Sequence, residues 1–358
     1  MNADHVNKLL AAGVSYGASD IHFKVGSTPS YRVDGALRNL KAETLTPAAT
    51  LQLCQLLCST MVPAPDFDSV RELDTSYSLP GTARFRVNIY RQRGTLSAIL
   101  RIIPKDIPTI ESLGLPIHLS KMSDHERGLV LVTGATGSGK TSTLAALINR
   151  VNQTRSVHIL TIEDPIEFLH SNQKASVSQR EIGTDTANFN VALRSALRQD
   201  PDVILVGEMR DRETVDIALK AAETGHMVYS TVHTTDASKT IGRLIAMFPA
   251  DEQATVRMRL AELLKGTISQ RLLPRTDGKG RVLACEIMVS TETTKEYIRD
   301  SSRTAGLKQV LEKGRDTYGM QTFDQNLVDL LRAGTITKAT AMSAASSPAD
   351  FERAMNFE

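Results

Sequence analysis

One stretch of eight residues constrains this chain more than any other. Gly134-Ala135-Thr136-Gly137-Ser138-Gly139-Lys140-Thr141 follows the pattern G-x-x-x-x-G-K-[ST]. An apolar run from Gly128 to Thr133 precedes it, and a helical pattern from Thr141 to Val151 follows. Strand, glycine-rich turn and helix in that order make a phosphate loop. The glycines permit backbone angles that aim N–H groups at phosphate oxygens, and the helix N-terminus adds dipole and donors. In such a loop the lysine, Lys140, reaches the β- and γ-phosphates, and the Thr141 hydroxyl ligates Mg²⁺. The residues expected to hold nucleotide run from Gly134 through Ser142, and the expected ligands are ATP and Mg²⁺.

The surrounding rhythm agrees. Val157 to Ile162 reads as a strand, Ala187 to Gln199 as a helix and Val203 to Gly207 as a strand. Arg212 to Thr224 reads as a helix, and His226 to His233 as a strand. Alternation of this kind predicts a parallel sheet with helices on both faces. Ligands then bind outside the carboxyl ends of the strands.

Three of those strand ends carry chemistry. Val203 to Val206 leads through Gly207 to Glu208, the place of a Walker B acid. With no aspartate beside it, Glu208 is expected to serve the Mg²⁺ shell, through water. Val157 to Ile162 leads to Glu163-Asp164-Pro165-Ile166-Glu167. Hydrolysis needs a carboxylate that orients and deprotonates water, and Glu163 is expected to be that base. Asp164 precedes proline, which holds its backbone extended. Glu167 reads equally well as a solvated loop acid. His233, at the carboxyl end of the third strand, is expected to sense the γ-phosphate. His226 lies seven positions earlier, so in one continuous strand the two rings face opposite ways. His226 is expected at the far edge or at a subunit contact.

The first hundred residues read differently. Val6 to Tyr16 is helix-like, and Ser19 to Val25 alternates as a strand does. Thr46 is an N-cap with Pro47 at the first helical position. Arg84 to Ile89 alternates polar and apolar, and Thr95 to Ile103 follows Gly94 as a further strand. Pro104, Pro108 and Pro116 mark a connector. The expected division is 1–104 for an N-terminal α/β domain, 105–118 for a linker, 119–290 for the ATPase core and 291–358 for a helical C-terminal region. The stretch 343–348 reads as loosely ordered.

Composition excludes several classes. The chain has 358 residues with 42 Lys and Arg against 40 Asp and Glu. So even a balance gives no basic field for nucleic acid, and no nucleic-acid partner is expected. Three cysteines cannot form a paired zinc module, and Cys54 and Cys58 read as core thiols. No apolar run reaches the ~20 residues that span a bilayer. The expectation is a cytoplasmic protein without membrane insertion.

Taken together, the motifs resemble a known family. The phosphate loop, IEDPIEF (162–168), DPDVILVGEMRD (200–211) and TGHMVYSTVHTTDA (224–237) are similar to the Walker A, Asp box, Walker B and His box of the secretion ATPases, the GspE-PilB-PilT family. ASDIHF (18–23) resembles that family's N-terminal signature, and GMQTFDQNL (319–327) a C-terminal segment of its pilus-retraction members. The resemblance implies a PAS-like N-terminal domain joined to a RecA-like P-loop domain, assembled as a homohexamer. It also implies Glu163 as the catalytic acid of the Asp box and Glu208 as that of Walker B. Arg86 and Arg101 match arginines of the N-terminal domain in related motors, expected to reach nucleotide. Arg194 and Arg198, four apart on one helix face, are further candidates to contact it.

Within the family, the resemblance favours retraction of type IV pili over assembly. Assembly motors carry an added N-terminal domain and a four-cysteine module. The implied partners are an inner-membrane platform protein (PilC-like) and a second motor, PilU-like or PilB-like. The implied place is the cytoplasmic face of the inner membrane at the pilus base. One stretch departs from the pattern: where retraction motors show AIRNLIRE, residues 296–303 read EYIRDSSR. The alternatives are an assembly motor or a nucleotide switch that does no mechanical work.

Overall fold

The computed structural model describes residues 1–357. They form two compact units that are not contiguous in sequence. The first is Met1–Ile107 together with Ile162–Leu169 and Gln179–Ala192. The second is Pro108–Thr161, His170–Ser178 and the chain from Leu193 on.

In the first unit, α1 (Ala3–Ser15) leads to β1 (Asp20–Phe23), β2 (Ser30–Val33) and β3 (Ala36–Asn39). Next come α2 (Pro47–Leu57), β4 (Glu72–Leu79), β5 (Ala83–Gln92) and β6 (Thr95–Ile103). Thr46 caps α2 as expected, its hydroxyl accepting from the Ala49 N–H at 3.2 Å. The six strands form an antiparallel sheet in the order β3-β2-β1-β6-β5-β4. A period of two sets its faces. Ile21 and Phe23 of β1 and Phe85, Val87 and Ile89 of β5 are buried, with Val6 and Leu10 of α1 in the same core. Arg84 and Arg86 alternate with the core residues of β5 and so turn to the other face. Arg93 and Gly94 close the β5–β6 hairpin with φ of 47° and 77°, the two left-handed residues of a tight turn. Cys54 and Cys58 lie in this core. Burial pushes their thiols up to about 12 and about 11, which leaves them inert.

The second unit holds β7 (Gly128–Gly134), α3 (Lys140–Thr154), β8 (His158–Glu163), β9 (Ser176–Glu181), α4 (Phe189–Ala196) and β10 (Val203–Val206). Then follow α5 (Arg212–Glu223), β11 (Met227–Val232), α6 (Ala237–Ala246), α7 (Gln253–Leu263), β12 (Leu264–Pro274) and β13 (Arg281–Val289). The last residues of β8 and β9 count with the first unit. The sheet order is β13-β12-β7-β11-β10-β8-β9. Strands β12, β7, β11 and β10 run parallel, and β13 is antiparallel on β12. All seven residues of β7 are buried, as a strand covered on both faces requires. The rest of the chain is α8 (Glu292–Arg299), α9 (Leu307–Lys313), α10 (Arg315–Tyr318), α11 (Phe323–Arg332), α12 (Lys338–Ala344) and α13 (Pro348–Phe357). The architecture is the expected one: a mixed α/β chain with a parallel-strand sheet and a helical C-terminal region.

Three details differ from the expectation. The segment 105–118 is not a free connector: Ile110 and Leu115 are buried in the core of the second unit. The stretch 343–348 holds the end of α12, a three-residue bend at 345–347 and the start of α13, with the Ser346 N–H donating to Asp324 Oδ1 at 2.9 Å. Strands β9, β12 and β13 lie outside the alternation read from the sequence, and polar residues interrupt β9 and β12. β12 buries Thr267, Ser269 and Gln270, and the side chains of Ser269 and Gln270 are hydrogen-bonded across the fold. Thr133 Oγ1 donates to Ser269 Oγ at 3.0 Å, and Gln270 Nε2 donates to Thr143 Oγ1 at 2.6 Å. Among the described residues, no helix is long and apolar enough to cross a membrane.

Candidate nucleotide site

The phosphate loop leaves the carboxyl end of β7 and enters α3 at Lys140. Its glycines are needed for shape. A Cβ on Gly134 would lie 2.4 Å from Ser138 Oγ and 2.6 Å from the Gln270 carbonyl. Gly139, the N-cap of α3, has φ 93°, a region that only glycine enters freely. Lys140 is 8% exposed, and its Nζ donates to the carbonyls of Gly134 and Ala135, each at 3.0 Å. Ser138 Oγ is buried without a hydrogen-bond partner. A glycine-shaped loop that holds a cation in its curve and leaves a hydroxyl unmatched fits a polyphosphate. Thr141 and Ser142 lie in the first turn of α3, on the same loop.

Glu208 follows β10 by two residues. Its carboxylate Oε2 lies 2.6 Å from Arg210 Nε and 3.4 Å from His233 Nε2. Backbone pairing keeps this end in register, since the Met209 N–H donates to the Thr231 carbonyl at 3.0 Å and Thr231 Oγ1 donates to the Gly207 carbonyl at 2.8 Å. The structure thus brings Glu208 and His233 together. The contribution of Arg210 has no signature in sequence, because it depends on how the chain turns after β10. Among the described residues, no group of three or more His, Cys, Asp or Glu could hold a metal alone. A cation at Thr141 and Glu208 would therefore take its other ligands from water and phosphate, the habit of Mg²⁺.

Glu163 ends β8 and begins the acid loop, whose Asp164–Pro165 peptide is cis. Glu163 is 9% exposed, and its Oε1 accepts from Gln179 Nε2 at 3.2 Å. Glu167 is an ion-pair partner, with Arg86 Nη1 at 3.3 Å. Arg86 and Arg101 are directly opposed across β5 and β6. Arg101 pairs with Asp20 through Nε at 3.0 Å, and its side chain is 71% exposed. Like charges facing each other across a ladder repel. Here the Glu167 and Asp20 carboxylates offset that repulsion.

The remaining predicted residues lie elsewhere. Arg194 and Arg198 do not share a helix face, because α4 stops at Ala196. Ser195 and Ala196 follow Arg194 in the helix, and the chain turns at Leu197 and Arg198 instead of continuing. Arg194 is ion-paired with Glu213, and Arg198 Nη1 donates to the Arg194 carbonyl at 3.3 Å. His226 and His233 both stand just outside β11, at opposite ends. His226 Nδ1 lies 2.9 Å from the Ala221 carbonyl and 3.2 Å from Thr224 Oγ1, in the turn that precedes the strand.

Sequence reasoning also missed Glu286 on β13. Its Oε1 accepts from the Ala237 N–H at 2.9 Å, at the start of the helix that follows the His233 segment. Burial, with help from nearby Asp236, pushes this carboxyl up to about 7. An acid raised in this way keeps its proton in the native state after the unfolded chain has released its own. Its stabilising contribution is full below the ordinary carboxyl range and is lost as pH rises through about 7. Glu286→Gln keeps the acceptor and removes the charge. Urea unfolding at pH 5 and pH 8 is expected to show the variant gaining on the wild type by about 3 kcal/mol over that interval. A difference that does not change with pH would mean the carboxyl is not raised.

The family described as Type II/IV secretion system protein matches residues 2–342. The type IV pilus retractation ATPase PilT of Pseudomonas aeruginosa is 46% identical, across 97% of this chain and 99% of that one. A twitching motility protein of Neisseria gonorrhoeae is 45% identical, across 88% and 83%. The solved structure of the pilus retraction motor PilT with bound ADP superposes with a TM-score of 0.86 at 43% identity, covering 97% of this chain and 99% of that one.

Proposed function

The chain belongs to the Type II/IV secretion system protein family, and from that premise we propose that it is a ring-forming ATPase that powers type IV pilus retraction. The observation that carries this reading is the match from end to end with a pilus retraction ATPase at 46% identity. A complete phosphate loop supports it, with Lys140 buried at its centre.

The chemistry proposed is ATP hydrolysis. N–H groups of Gly134 to Thr141 and the Lys140 ammonium hold the β- and γ-phosphates. Thr141 and, through water, Glu208 are the residues that would hold Mg²⁺, which when bound neutralises charge on the phosphate oxygens. Glu163 takes a proton from water on its carboxylate. The water oxygen bonds to the γ-phosphorus, the bond to the β–γ bridging oxygen breaks, and ADP leaves with that electron pair. His233 reports the γ-phosphate to Glu208, its neighbour at 3.4 Å. Arg86 and Arg101 supply positive charge to a nucleotide, as a neighbouring subunit in a hexamer would present them. The working place is the cytoplasmic face of the membrane, against an integral platform protein.

Deleting the gene in the organism that carries it, and counting surface pili by electron microscopy, tests the direction of work. Excess pili with lost twitching are expected, restored by the wild-type gene and not by Lys140→Ala. Bald cells would make the protein an assembly motor instead.

A further inference from the structure

The acid loop has no regular secondary structure, yet its polar groups are held almost residue by residue. Gln179 Nε2 donates to Glu163 Oε1 at 3.2 Å and to the Phe168 carbonyl at 2.9 Å. The Ile182 N–H donates to the Glu163 carbonyl at 2.9 Å. The Ile166 N–H donates to Glu181 Oε2 at 3.0 Å, and the Ile166 carbonyl accepts from Arg84 Nε at 3.1 Å. Arg84 and Glu181 are themselves a buried ion pair, their side chains 14% and 3% exposed. Ser76 Oγ completes the set, donating to Glu181 Oε1 at 2.5 Å.

We propose that Gln179 is a positioning residue for hydrolysis, aiming the Glu163 carboxylate from a frame that Glu181 and Arg84 build. The argument is geometric. Gln179 and Glu181 are two apart on β9, so they share one face of an edge strand. One amide spans the loop from its first residue to its sixth, tying the Glu163 side chain to the Phe168 backbone. Glu181 and Arg84 grip the N–H and the carbonyl of the residue midway between. A loop fixed at both ends and in the middle leaves its leading carboxylate little freedom. Arg84 comes from β5, so the N-terminal sheet takes part in holding the acid loop.

This proposal rests on Glu163 being the base, and the test separates the two ideas. Four proteins are compared for kcat, KM and ATP affinity: Gln179→Ala, Gln179→Glu, Glu163→Gln and the double variant Gln179→Ala/Glu163→Gln. Gln179→Ala is expected to lower kcat roughly 10- to 100-fold while KM and affinity stay within about 3-fold. Gln179→Glu, closer in shape, is expected to lower kcat at least as far, because it sets a second carboxylate against the first. A residue that only fills space would give the reverse order. In the double variant, the alanine is expected to add nothing to the loss from Glu163→Gln. If Glu163→Gln leaves kcat intact, the base assignment falls. If Glu163→Gln removes turnover but the Gln179 variants keep wild-type kcat, the positioning role is overturned and the base assignment stands.

Discussion

Lys140→Ala is expected to leave the purified protein with at most about one hundredth of wild-type ATP turnover. The buried ammonium is the positive charge at the centre of the phosphate loop. In the structure it is satisfied by the carbonyls of Gly134 and Ala135. Under the proposed function, phosphate oxygens take over as its acceptors when nucleotide enters, and its charge offsets the charge that develops on the transferring group. Alanine removes the charge and leaves two carbonyls to water. It is a good helix former at the first position of α3, so the fold should survive. Phosphate release measures turnover, and a fluorescent ATP analogue measures affinity. Turnover within about threefold of wild type would mean that this loop does not serve hydrolysis.

Glu163→Gln is the second large effect. The amide has the same shape as the carboxylate and can still meet Gln179, so binding should change little. It cannot take a proton from water. General-base catalysis contributes roughly 100- to 10,000-fold, and kcat is expected to fall by that much with ATP affinity within a few-fold of wild type. The variant should therefore accumulate with ATP bound, which a trapped-nucleotide assay would detect. A kcat unchanged within about threefold, with ATP still bound, would assign the proton to another group.

Much of this was legible in the sequence because single residue types report it. The phosphate loop is a backbone shape that glycine allows, followed by a lysine that only phosphate explains. Glu163 and Glu208 end apolar runs, and the topology of a parallel sheet puts strand ends to use. Thr46 and Pro47 announce a helix start through cap chemistry alone. The signals failed where polar residues are buried in pairs. β12 looks like no strand because Thr267, Ser269 and Gln270 interrupt it, and the partners of the last two, Thr133 and Thr143, lie more than a hundred residues away. Gln179 and Glu181 stayed invisible for the same reason. Each matters through what it touches across the fold, and apolar periodicity registers none of that. The helix bearing Arg194 is shorter than its pattern suggests, since the boundary at Ala196 leaves only a weak trace in composition.

The division of the chain has a consequence for engineering and descent. The first unit is made of three stretches, and the chain passes between units after residues 107, 161, 169, 178 and 192. A fragment cut at the prolines would lack 162–169 and 179–192, and with them Glu181. Arg84 would keep its place on β5 without its counter-ion, which is costly for a group so little exposed. Such a unit cannot be transplanted as a cassette or exchanged between relatives by one crossover. A recombinant that swaps the first hundred residues must bring matching residues from the distant stretches, so these segments are bound to change together.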